Sequence, residues 1–150
     1  MKEKPESIII TMPVKFLIDL AVSELHQKAE SAKQLEQFKR LTTKKGLILS
    51  GYRIYLQQME ATIKDEDCYW LHKMNNLPTT DVLYCYVTVL GNILYRANIG
   101  GYEPGGHKIF NDGRVCYAKN WMILTHPFVK ANPKIPKRGF QGFRYSKFLF

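Results

Sequence analysis

Val82–Leu90, VLYCYVTVL, leads through Gly91-Asn92 into Ile93–Ile99, ILYRANI. The first run is β-branched and aromatic at consecutive positions, not at alternate ones. It therefore predicts a central strand covered on both faces. Gly91-Asn92 is a two-residue link with glycine first, which suits a type II′ turn. Together the three pieces predict an antiparallel hairpin in the middle of a sheet.

Reading outward from that hairpin gives further strands. Gly100–Gly106, GGYEPGG, predicts a loop, a hairpin connection. Lys108–Phe110 and Arg114–Ala118 flank Asn111-Asp112-Gly113, a second hairpin signal. Trp121–Thr125 predicts another strand, and Pro127, Pro133 and Pro136 predict an extended surface segment. Tyr145–Phe150 predicts a closing strand. Toward the N-terminus, Ser7–Met12 (SIIITM) is a short β-branched run ended by Pro13. Leu17, Ile18, Ala21, Leu25, Ala29, Ala32, Leu35 and Phe38 then recur at helical spacing, with charged residues on the other face. Residues 47–63 fit a helix or an alternating strand. Gly46 and Gly51 weaken the helix, yet helix is the better reading. Asn75–Thr80, NNLPTT, is a loop. The order is one strand, one or two helices, then several antiparallel strands. The expectation is an α+β fold in a single domain spanning 1–150, a small antiparallel β-barrel with one or two packed helices.

The 150 residues carry a net charge of +9. From Gly113 to Phe150 there are eight Lys or Arg and no Asp or Glu, and eight aromatics accompany them. The preceding residues hold 14 Lys and Arg against 13 Asp and Glu. A basic balance so concentrated favours a polyanionic partner. Cys68, Cys85 and Cys116 form neither a CxxC nor an even framework, so a reduced, cytoplasmic chain is expected. The opening apolar run is broken by Pro13, Lys15 and Asp19, unlike a signal peptide. No stretch reaches the length of a membrane helix, and no membrane partner is expected.

Lys134–Tyr145, KIPKRGFQGFRY, is the strongest constellation. Arg138 and Arg144 can bind phosphates bidentately or stack on bases, and Lys130, Lys134 and Lys137 add charge. Phe140, Phe143 and Tyr145 offer stacking planes, and Gln141 can read a base edge. Gly139 and Gly142 allow close backbone approach. Structurally, the same glycines would serve a bend and the phenylalanines a core. Lys119 and Trp121, near Arg114, make a second patch in which Trp121 is either a stacking plane or a core residue. These residues predict a nucleic-acid partner, RNA or single-stranded DNA in preference to duplex DNA.

Signals for catalysis are few. GGYEPGGHK lacks the ending of a phosphate loop. Cys68 and His72 share a helical spacing, but two ligands do not make a metal site. Asp65-Glu66-Asp67 reads as a solvated turn. His126 is a possible base with no carboxylate near it in sequence. No catalytic residue, metal or cofactor is assigned.

SIIITMP leading into a helix, VLYCYVTVL paired with ILYRANIGGYE, then WMILTHPFVK and GFQGFRY resemble the PUA-like group of small β-barrels, which includes ASCH and EVE domains. The resemblance covers most of the chain and implies a pseudo-barrel that binds RNA or a modified base. ASCH domains carry a GxKxxExR-like stretch after the first helix. Here KKGLILSGYR lacks the acidic residue, so no ASCH catalytic residue carries over. The expectation is a non-catalytic nucleic-acid-binding domain. A nucleic-acid-modifying hydrolase and a protein-interaction module are the alternatives.

Overall fold

The computed structural model describes residues 5–110 and 113–150. The chain forms two compact units, one of helices over Pro13–Ala61 and one of strands from the residues up to Met12 together with Thr62–Phe150.

The helical unit holds α1 (Val14–Lys28), α2 (Ala32–Leu41) and most of α3 (Lys44–Lys64). The continuous helix expected from Leu17 to Phe38 is instead two. Ser31 caps α2, its hydroxyl accepting from Gln34 N at 3.1 Å. Gln34 Oε1 in turn accepts from Glu30 N at 2.6 Å. This reciprocal box starts a new helix where the apolar spacing alone runs on. Residues 47–63 are helical, as read. Gly51 is where α1 and α3 meet, since a Cβ there would lie 1.8 Å from the Leu17 carbonyl oxygen.

The strand unit is one six-stranded sheet curled into a half-barrel, so the α+β expectation holds. Its strands are β1 (Ser7–Thr11), β2 (Trp70–Met74), β3 (Tyr84–Val89), β4 (Asn92–Ile109), β5 (Val115–Pro136) and β6 (Phe143–Ser146), in the order β2-β5-β4-β3-β1-β6. The sheet is not wholly antiparallel, because β1 runs parallel to β3, with Ile9 opposite Tyr86. The long helical connection between them makes that pairing possible. As expected, β3 is an interior strand buried nearly throughout.

The turn after β3 differs from the expectation. A register shift at Val87/Thr88 sets Val89 opposite Asn92 and leaves Leu90-Gly91 as the link. Both have positive φ, 47° and 83°, the requirement of a type I′ turn.

The largest correction concerns β4 and β5. GGYEPGG is not a loop; it continues β4, and Tyr102 lies opposite Met122. Gly105 allows the close crossing, since a Cβ there would meet the Lys119 carbonyl oxygen at 2.1 Å. Ile109 pairs with Val115, so the second hairpin exists, although Asn111 and Asp112 of its turn lie outside the described residues. The proline segment is likewise ladder, with Asn92 opposite Pro136 and both Phe128 and Ala131 buried. Repeated register shifts bend this ribbon. Phe110, at its far end, comes back to 6.1 Å from the Trp121 ring. The closing strand is shorter than expected: β6 ends at Ser146, and Lys147–Phe150 follows as a separate segment.

Candidate nucleic-acid interface

After β5, residues 137–142 cross the end of the sheet. Lys137 N donates to Gly91 O at 2.9 Å, and Phe140 N donates to the Thr11 hydroxyl at 3.1 Å. The crossing links the end of β5 to the edge strand β6, which pairs with β1 through Ile9 and Arg144. The two are four strand spacings apart, roughly 19 Å along the sheet. Gly142 has a φ of 74°, which suits glycine at the bend into β6.

The predicted side chains are distributed along this path. Lys130 and Lys134 are exposed on β5, and Arg138 and Gln141 are exposed on the crossing, where Lys137 is half-buried. Arg144 is exposed on β6, its guanidinium 4.5 Å from the centre of the Phe140 ring. Phe140 itself is half-buried against the Ile9, Tyr86 and Ile93 cluster. It therefore fills part of the core, as the structural reading has it, and carries the arginine on its ring. Phe143, half-buried, lies edge-on to Tyr145 at 5.4 Å. The Tyr145 hydroxyl accepts from Thr79 N at 2.9 Å. Its bonds to Thr79 lower the phenol's pKa from the ordinary tyrosine value. The ion pairs Lys28–Glu24, Arg53–Glu24 and Lys108–Glu103 lie outside this segment.

The second patch separates. Lys119 is exposed, but Trp121 is 1% exposed and its Nε1 donates to Gly106 O at 3.1 Å. Trp121 is a core residue with no open face for a base.

Two arrangements were not read from the sequence. On β4, Arg96 lies opposite Tyr86, which lies opposite Ile9, which lies opposite Arg144. Directly opposed residues share a sheet face. The Arg96 guanidinium is 5.1 Å from the Tyr84 ring centre, 5.0 Å from that of Phe148 and 5.7 Å from that of Phe150. Only its alternation-breaking charge in ILYRANI hinted at a special place.

The other arrangement is an open hollow of about 420 Å³ lined by Glu66, Asp67, Tyr69, Glu103, Thr125 and His126. Carboxylates of the 65–67 turn and of β4, distant in sequence, line the same hollow as His126. His126 Nε2 is buried and accepts or donates no hydrogen bond among the described residues. Cys68 also borders the hollow, but its bond to Asp65 pushes the thiol up, away from a reactive thiolate. Among the described residues there is no cluster of three His, Cys, Asp or Glu able to hold a metal.

No protein-family model, curated protein or solved structure matches this chain.

Proposed function

We propose that this protein binds single-stranded nucleic acid, RNA or single-stranded DNA, without catalysis, along the path from β5 over the crossing to β6. Lys130, Lys134, Lys137, Arg138 and Arg144 would meet phosphates, with Lys119 as an outlying contact. Bases would stack beside Phe140, Phe143 and Tyr145, and Gln141 would read an edge. The observation that carries this reading is the Arg144–Phe140 stack, with exposed Arg138 two residues before Phe140, in a segment without an Asp or Glu. Such a pair offers charge and a π face at one spot, the combination that single-strand binders use. A PUA-like pseudo-barrel is the finer reading of the curled sheet, and belongs to the same proposal.

Fluorescence anisotropy with labelled single-stranded RNA, single-stranded DNA and duplex DNA tests it. Binding of a single strand should survive physiological salt. Arg138→Ala with Arg144→Ala should flatten the salt dependence by roughly 1.4 log units per log unit of salt, about 0.7 for each phosphate no longer neutralised. An unchanged slope in the folded double variant would remove the crossing from the interface.

The hollow favours a second reading, acid–base chemistry on a modified nucleoside by His126 with Glu66, Asp67 or Glu103. Product formation abolished by His126→Ala would establish it; no turnover across a nucleoside panel would dismiss it.

A further inference from the structure

The register row that carries Arg144 at the sheet edge carries Arg96 near its centre, and the Lys147–Phe150 segment lies over Arg96. Phe148 packs on Tyr84 with ring centres 5.5 Å apart, and Phe150 packs edge-on to Tyr86 at 5.0 Å. The Tyr86 hydroxyl accepts from Leu149 N at 2.6 Å and Phe150 N at 3.2 Å. Arg96 donates one guanidinium N–H to the Phe150 backbone oxygen.

This arrangement satisfies Arg96 poorly. Its Nε is buried and makes no hydrogen bond among the described residues. No Asp or Glu side chain among those residues pairs with it. A sheltered guanidinium that leaves Nε unsatisfied has donors that the several acceptor oxygens of a phosphate would fill more completely. The cover is loosely seated for its size, since Phe148 is 49% and Leu149 44% exposed. Tyr84 and Tyr86 would become stacking planes on its removal.

We propose that Lys147–Phe150 is a displaceable strap over a second phosphate-and-base subsite formed by Arg96, Tyr84 and Tyr86. The strap's two phenyl rings stand where bases would stack, and its Phe150 oxygen stands where a phosphate oxygen would. The inference rests on the single-strand reading above. It adds that the closed protein engages only the outer part of a strand, and that displacement of the strap extends the site inward from Arg144. Apparent affinity is then reduced by the fraction of molecules with the strap in place.

Tyr86→Phe removes the hydroxyl that holds the strap and keeps the ring; Phe148→Ala weakens the cover without touching Tyr86. Two readouts are taken on each full-length variant: tryptic cleavage after Lys147, and anisotropy with labelled ten-nucleotide oligo(U) and oligo(dT). Cleavage should accelerate and binding should tighten by about fivefold, the opening expected if the strap is closed in most molecules. Adding Arg96→Gln, or the gentler Arg96→Lys should the first fail to fold, should cancel the gain. Faster cleavage with unchanged affinity, in a protein whose wild type binds, would overturn the strap and leave the outer interface intact. Cleavage that accelerates in neither variant would overturn it too. Failure of wild type and both variants to bind either oligomer would overturn the single-strand reading itself, and the strap with it.

Discussion

Arg96 and Arg144 lie on one row of the sheet, and each is stacked on aromatic rings, yet they occupy opposite circumstances. Arg144 stands on an edge strand, exposed, over a single half-buried phenyl ring. Arg96 stands on an interior strand, hydrogen-bonded to the chain's own backbone and close to three aromatic rings. The same chemical group is thus a surface contact at one end of the row and part of the packing at the other. The difference shows that charge density along a sequence indicates what a surface can attract, whereas strand position decides which charges are available to attract it.

Substitutions can break that contrast or sharpen it. Arg96→Ala should lower the free energy of unfolding by about 2–3 kcal/mol in a urea titration, since it removes the ring contacts and a backbone hydrogen bond together. A loss no larger than that of Arg144→Ala would erase the distinction between interior and edge.

His72, on β2 at the opposite edge of the sheet, extends the contrast to a titratable group. Burial, reinforced by the neighbouring Lys73 charge, lowers its pKa to about 4. The unfolded chain takes up a proton near pH 6.5, and the folded protein resists it. Stability is therefore full above that value and declines as pH falls toward 4, by about 2 kcal/mol after allowance for the ring's partial exposure. His72→Gln should flatten the decline. A wild-type stability that is level across this window would show that the ring reaches water.

Trp121→Phe should cost about 1 kcal/mol through loss of the bond to Gly106, while nucleic-acid affinity stays at the wild-type value. Weaker binding in a variant of undiminished stability would return Trp121 to the interface. Arg144→Ala sits at the small end of the scale, with a stability change within about 0.5 kcal/mol. Under the single-strand proposal its effect belongs to the salt dependence of binding.

The parts of the fold legible in the sequence were those set by local chemistry. β3 and the turn region after it followed from residue type and spacing, whereas 47–63, whose spacing fits helix and strand alike, is helical within α3. The Ser31–Gln34 box was present in the sequence and was overridden by a run of apolar positions that happens to continue through it. GGYEPGG misled because glycine and proline ordinarily mark a turn. Here Gly105 is required by a backbone crossing with a residue of the partner strand, which only the pairing reveals. The exposed part of the candidate interface was legible because charge and aromatic content are compositional. Arg96 and the hollow that His126 shares with carboxylates were not, since their neighbours come from distant strands and turns.

The pairing of β1 has a consequence for synthesis. Its triad Ile8, Ile9 and Ile10 is almost wholly buried, and its partners are Tyr84–Thr88 on one side and Phe143–Ser146 on the other. A ribosome releasing roughly 5–20 residues per second delivers the first partner several seconds after β1 and the second only after β5 has emerged. During that interval a short β-branched segment has no native neighbour, the condition under which such segments stick to one another. The helices that follow β1 in the chain can form on their own schedule, but they cannot supply its missing ladder. The yield of correctly folded molecules should therefore depend on what shields those three isoleucines while the rest of the chain is still being made.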